Sequence, residues 1–466
     1  MTSKSGEGTE LTITAVGDMW EGGFRRMAVY DEPEFMVLVK LIRDADVGFV
    51  NMETNLLDKQ NKNPYAGVGQ PLWAIERHQA DPIIAEDLRW LGFNICSCAM
   101  NHSHDFGPEG IFSTIRVLDK VGFTQAGIGA TLSEASLPGY MQTKKGAVAI
   151  ISSYAPAFHG IIATDPSPEH NAGWPGVNGI RADWILDPET WEAYKNMAER
   201  IGGGLMGVRP AEPWDREYFG VDTLQVNGFM FVLKGKEPGN YARTKVRDED
   251  LKRNVRSVKG AAGIADWVIY ALHDHTSDGL GSDPDVPSGS TMTLARACID
   301  AGADVFIGTG MQGYRGIELY RNKPIFYNIG VWQETVESMW RQPMQVYEAL
   351  RLTKDDDIST VVDRMNVLFN RKAGYRGDYF RMEKELYWSG LLVTMKLEGE
   401  QGPDRKVTEI KLYPCDLRGD LPRAQRGRPI LAKGKVSKKV LEVLKKKSTK
   451  LGTEIEIKGD IGVVKL

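Results

Sequence analysis

Short β-branched apolar runs alternate along this chain with stretches of helical periodicity, a pattern that predicts an α/β sheet covered by helices. Leu11-Thr12-Ile13-Thr14-Ala15-Val16 reads as a first strand, closed by Gly17-Asp18. A helical segment near Pro33 to Ala45 leads to Val47-Gly48-Phe49-Val50, closed by Asn51-Met52-Glu53. Pro82–Leu91 reads as helix, and Gly92-Phe93-Asn94-Ile95-Cys96-Ser97-Cys98 as a strand running into Asn101-His102. A helix from about Gly110 to Val121 and an apolar strand over Ala147–Ser152 follow.

From about residue 155 to 260 the rhythm breaks. Gly, Pro and Trp are frequent, as in Trp174-Pro175-Gly176-Val177-Asn178-Gly179 and Gly202-Gly203-Gly204. This stretch reads as a loop-rich insertion or lid over a site, without a core of its own. Alternation resumes with Val268-Ile269-Tyr270-Ala271-Leu272, closed by His273-Asp274-His275. A helix around Ser290–Ala301 and strands at Val305-Phe306-Ile307 and Pro324–Gly330 come next, and the tail carries strand-like ends and a basic helix, Val436–Lys447. The expected organisation is one domain over residues 8–335, interrupted at about 155–260, with a small C-terminal extension over 336–466 packed on it.

Composition narrows the partners. With 466 residues and 42% hydrophobic content, the chain can bury a full core without staples. A net charge of −4 from 58 basic and 62 acidic residues argues against a polyanion-binding surface, so no nucleic-acid partner is expected. Cys96, Cys98, Cys298 and Cys415 form neither a disulfide framework nor a CxxC zinc pair, which fits a reducing compartment. The segment Met1–Glu7 is polar and lacks the apolar core of an export signal, and no run reaches the roughly 18 apolar residues of a membrane span. A cytoplasmic protein with no membrane partner is expected.

Chemistry concentrates at strand ends. Ala99-Met100-Asn101-His102-Ser103-His104-Asp105-Phe106-Gly107 carries an amide, two imidazoles and a carboxylate in close succession, in a chain with 7 histidines. Open α/β sheets bind ligands at the carboxyl edge of their strands. Asp18, Glu53, Asn101-His102 and His273-Asp274-His275 would therefore meet on one rim. A lone strand-terminal Asp often caps the next helix, and a Ser-His-Asp-Phe-Gly turn can bind its own backbone. Recurrence at successive strand ends favours a site.

These blocks resemble the CapA family, named for a poly-γ-glutamate capsule protein and sharing the calcineurin-like metallophosphoesterase fold, a sandwich of sheets flanked by helices. Gly17-Asp18 matches the family's first Gly-Asp, Asn51-Met52-Glu53 its Asn-x-Glu, and Ala99-Met100-Asn101-His102 with Asp105 and Gly107 its Ala-Asn-Asn-His-x-x-Asp-x-Gly. Gly127-Ile128-Gly129, Ala265-Asp266-Trp267-Val268-Ile269 before His273, Gly302-Ala303-Asp304-Val305 and Pro324-Ile325-Phe326-Tyr327 continue the match over roughly residues 11–335. The family's late Gly-His-x-Pro-His is here Gly308-Thr309-Gly310-Met311-Gln312, so both of its histidine ligands are absent. The usual Ser-Leu-Gly-Asn-Phe is altered to Asn328-Ile329-Gly330-Val331-Trp332.

The resemblance implies metal ligation by Asp18, Glu53, Asn101 and His273. With oxygen donors in the majority, one divalent ion per chain is expected, Mn²⁺, Mg²⁺ or Ca²⁺ before Zn²⁺. It also implies acid/base work for His102, since an imidazole changes charge near neutrality. His104 and His275 lie outside the family pattern and are candidates for further proton transfer, with Asp105 or Asp274 orienting a histidine. Gln312 is a candidate contact at the lost position, and Arg181 and Arg315 are candidate anion clamps, although ion pairing is the commoner fate of an arginine. Trp73, Trp174, Tyr314 and Trp332 read as core or pocket aromatics, and His78, His159 and His170 as surface or loop residues. The expected function is a metal-dependent hydrolase of a phosphoester or an amide or peptide-like substrate. The alternatives are a metal-assisted epimerase or lyase on a peptide or amino-acid-like substrate, and a non-catalytic capsule biosynthesis or binding protein.

Overall fold

The computed structural model describes residues 10–20, 26–58, 77–157, 160–169, 171–200, 243–278, 282–335, 342–368, 384–400 and 404–466, with short pieces between them. Two sheets carry the architecture. In the ten-stranded sheet, Leu11–Trp20, Val47–Asn51, Ile95–Ser97 and Thr124–Ala126 run in parallel, in that order. Asp18 lies opposite Asn51, and Asn51 opposite Ser97, so these strands end on a common edge. In the six-stranded sheet, Gly146–Ala155, Trp267–Asp274 and Val305–Thr309 are parallel neighbours, and His273 lies between Tyr154 and Thr309.

The apolar patterns explain how these sheets stack. Leu11, Ile13 and Ala15 alternate onto one face and, with Phe49 and Ile95, pack against Ile150, Ile269 and Ile307 of the second sheet. The outer face of the first sheet is covered by the helices Pro33–Arg43, Ile83–Leu91 and Gly107–Val121 through Phe35, Leu38, Leu88 and Leu118. Helices Asp248–Ala262 and Gly289–Ala301 cover the outer face of the second through Val258, Ala261, Leu294 and Cys298. The result is a mixed α/β fold layered helix–sheet–sheet–helix. No helix among the described residues is long and apolar enough to cross a membrane.

Two regions differ from the sequence reading. The stretch expected to be loop-rich contains a five-stranded sheet that includes Ala182–Leu186, Thr223–Val226, Phe229–Leu233 and Arg243–Val246. Its β-branched and aromatic runs are short, and the surrounding Gly and Pro mask them. In the tail, Ser389–Glu398 pairs antiparallel with the first strand from Leu11–Leu397 to Val16–Leu392, and Lys406–Asp416 adds the next strand.

Candidate metal centre

Two glycines deliver Asp18 to the rim. A Cβ on Gly17 would lie 1.7 Å from the Gly330 carbonyl oxygen, so only glycine lets the first strand pass this turn. There the Asp18 amide donates to that same carbonyl at 3.0 Å. Gly310, at φ 108°, donates its N–H to Asp18 Oδ2 at 2.9 Å. Asn51 Nδ2 donates to Asp18 Oδ1 at 2.7 Å.

His273 is the hub of the site and has no exposed surface. Its two ring nitrogens face different company. Nε2 lies 2.9 Å from Asn101 Oδ1, 3.2 Å from His275 Nε2 and 3.6 Å from Glu53 Oε1. Nδ1 lies 3.1 Å from Asn51 Nδ2, 3.2 Å from Thr309 Oγ1 and 3.4 Å from Asp18 Oδ1. Ligand atoms of Glu53, His273 and His275 all fall within 4.8 Å of one another, spacing that can hold one metal ion. Asn101 Oδ1 joins them.

The donor chemistry fits such an ion. Glu53 and Asn101 offer oxygens, and two imidazole nitrogens face each other within hydrogen-bonding distance. Burial pushes His275 well below the ordinary imidazole value, and the neighbouring His273, His102 and Arg315 act in the same direction. A neutral imidazole is the ligating form. Ligating histidines characteristically donate their other N–H to an oxygen, and Thr309 Oγ1 and Asp18 Oδ1 stand on that side of His273. Asn51 Oδ1, also buried here, has no hydrogen-bond partner among the described residues.

Beside this cluster His102 Nδ1 lies 2.8 Å from Asp105 Oδ2. Asp105 is fully buried, and the same oxygen accepts the His78 backbone N–H at 2.7 Å. A carboxylate only accepts, so His102 carries its proton on Nδ1 when neutral. His78 is fully buried, against the surface or loop position expected for it, and its ring stacks on His102 at 3.7 Å and 6°. No periodicity or motif around His78 signals this contact.

The other candidates are held elsewhere. His104 Nε2 lies 3.2 Å from the Pro175 carbonyl oxygen, with the ring 5.7 Å from that of Trp174, and burial lowers its pKa. Among the described residues Asp274 accepts from Thr276 and Thr291 and pairs with Arg315, rather than orienting a histidine. Arg181 pairs with Asp250 and Glu249, so both arginines already have carboxylate partners. Gln312 is half-buried in the loop after Val305–Thr309. Tyr314 and Trp332 are core residues, Tyr314 hydroxyl on Ser389 Oγ and Trp332 edge-on to Phe93. Trp73, His159 and His170 lie outside the described residues.

Comparison with known proteins agrees with the blocks read from the sequence. Over 465 residues the chain is 32% identical to the uncharacterized protein y4sH of Sinorhizobium fredii, covering 98% of this chain and 93% of that one. It is 24% identical over 237 residues to a probable polyglutamine synthesis accessory protein of Mycobacterium tuberculosis, covering 51% and 44% of the two chains. It is 20% identical over 331 residues to the capsule biosynthesis protein CapA of Bacillus anthracis, covering 70% and 60%. Residues 12–331 match the family described as bacterial capsule synthesis protein PGA_cap, and the chain belongs to that family.

Proposed function

We propose that the chain is a metal-dependent hydrolase of a phosphoester or of an amide in a peptide-like substrate, built on a calcineurin-like sandwich. The observation that carries this reading is a carboxylate-held imidazole, His102–Asp105, adjacent in sequence to the Asn101 donor of the metal cluster. Glu53, Asn101, His273 and His275 would hold the ion, and His275 is a donor the family blocks do not supply. Two oxygens and two imidazoles suit Mn²⁺ or Zn²⁺, while the second nitrogen makes Mg²⁺ and Ca²⁺ less suitable than the oxygen-rich set read from sequence. The chemistry supplied at this position is polarisation of the scissile group and activation of water. His102 Nε2 exchanges the proton with the leaving group, while Asp105 keeps the ring in one tautomer.

Proton transfer at carbon fits less well. An epimerase needs a second base facing the substrate, yet His104 is turned to Pro175 and His275 sits among the donors.

The test uses isotopically labelled water and a panel of phosphoesters, γ-glutamyl peptides and ordinary peptides. A relative named for polyglutamine synthesis is the reason to add glutaminyl peptides to that panel. Solvent oxygen in the product with no carbon-bound deuterium is the expected result. His102→Asn is expected to lower turnover about 10²–10⁴-fold with the metal retained. Carbon-bound deuterium without oxygen incorporation overturns the proposal in favour of an epimerase or lyase. No reaction across the panel with metal bound overturns it in favour of a binding protein.

A further inference from the structure

We propose that His78 is a positioning residue for the His102–Asp105 pair, holding the ring of His102 on its face while Asp105 holds it at its edge. The inference rests on the reading of His102 as the proton-transfer group.

Three contacts converge on His78. Its backbone N–H donates to Asp105 Oδ2 at 2.7 Å, the oxygen that faces His102 Nδ1. Its ring lies parallel to that of His102 at 3.7 Å. Its carbonyl shares a donor with His102: Asn55 Nδ2 reaches the His78 oxygen at 3.2 Å and the His102 oxygen at 2.6 Å. One side chain thus ties both backbones together beneath the stacked rings.

The hydrogen bonds at the ring edge specify an imidazole. The Trp20 indole N–H, a donor with no lone pair, approaches His78 Nε2 at 2.7 Å. His78 Nε2 must therefore accept, and the proton sits on Nδ1. That nitrogen lies 3.3 Å from the carbonyl oxygen of Glu53, a proposed metal ligand. A phenyl ring here would keep the stack but strand the indole N–H and lose the link to Glu53. Asp105 fixes rotation of the His102 ring within its plane, and the His78 face blocks rocking out of it. Together they leave Nε2 a narrow range of directions beside the metal donors, the condition for efficient proton transfer.

The experiment compares wild-type, His78→Ala, His78→Phe and Trp20→Phe in the 466-residue chain loaded with Mn²⁺ for activity. For nitrogen-15 NMR of the histidine rings the same chains are loaded with diamagnetic Zn²⁺. Wild-type His102 is expected to show one sharp Nδ1–H tautomer. His78→Ala is expected to broaden or mix that signal, and His78→Phe, which restores the ring face but neither edge hydrogen bond, to recover only part of it. On any substrate the chain turns over, His78→Ala should lower kcat about 10–100-fold with KM nearly constant. Trp20→Phe keeps both rings, so it reads out even where His78→Ala does not fold. It should mix the His78 tautomers and loosen the His102 signal. A His102 signal unchanged in Trp20→Phe, or in a folded His78→Ala, overturns the proposal. The NMR readout needs no substrate, so a disturbed His102 with no detectable hydrolysis would sink the hydrolase reading and leave the positioning role standing.

Discussion

On the proposed reading Asp18 supports the metal donors and His275 joins them. Asp18 stands on the Nδ1 side of His273 with both oxygens accepting hydrogen bonds, whereas His275 meets the Nε2 side among the donors. Asp18→Asn should therefore weaken Mn²⁺ affinity about 10–100-fold, as loss of a supporting hydrogen bond does, while His273→Ala abolishes binding. Titration calorimetry separates the two; complete loss in a folded Asp18→Asn would make Asp18 a direct ligand. His104 gives a second prediction. Burial holds its folded pKa below the ordinary imidazole value, so the folded chain binds a proton less readily than the unfolded one. Its contribution to stability is complete above about pH 6.5 and declines as pH falls toward the lowered value. His104→Gln should flatten that part of the profile in urea unfolding at stepped pH; a slope unchanged from wild-type would mean His104 titrates normally. His102, Asp105 and His273 were legible because each follows an apolar strand in a recognisable block. His78 was not, because its partners Trp20, Glu53, Asp105 and His102 are gathered by tertiary packing alone.

The strand end His273-Asp274-His275 works as a unit. Alternation along Trp267–Asp274 puts the histidines on one side and Asp274 on the other, where Thr276, Thr291 and Arg315 hold it. Arg315 Nη2 also donates to the Thr276 carbonyl oxygen at 2.5 Å and approaches Met311 Sδ at 2.9 Å. It thereby pins the strand end to the loop that replaces the family's late histidine block. Asp274 is fully buried, so Arg315→Ala leaves a charge without its partner and should cost about 3–5 kcal/mol, with metal affinity falling alongside. Arg315→Met combined with Asp274→Asn should recover much of the stability in chemical denaturation. A single-variant loss under about 1 kcal/mol would place this pair among the weakly coupled surface pairs. The strand itself was plain from its apolar run. The arginine's pairing was not, because its partner lies 41 residues away and no local pattern announces it.

The tail is the clearest case of information that appears only when the whole chain is assembled. Strand-like runs beyond Leu391 are visible in sequence, but the edge they join is set by pairing across almost the entire chain, Leu11 with Leu397 and Ile13 with Met395. Read locally they suggest an extension resting on a finished core. In the fold they supply part of that core: Leu391, Val393, Met395, Leu397, Ile410, Leu412, Leu441 and Leu444 all pack into the cluster between the two sheets. Each fully buried side chain of this kind contributes about 1.5–3 kcal/mol. Their combined removal is comparable to or larger than the net stability of about 5–15 kcal/mol typical of a folded protein. It also strips Leu11–Val16 of its antiparallel partner and leaves a long apolar edge open to aggregation. The fragment 1–335, which contains every proposed metal donor, is therefore expected to be insoluble or to lack a cooperative thermal transition, whereas the full chain melts cooperatively. Soluble yield, circular dichroism on heating and Mn²⁺ retention compare the two directly. A soluble fragment with a cooperative melt and bound metal would show that residues 336–466 are an extension after all, and that the first strand tolerates an exposed edge.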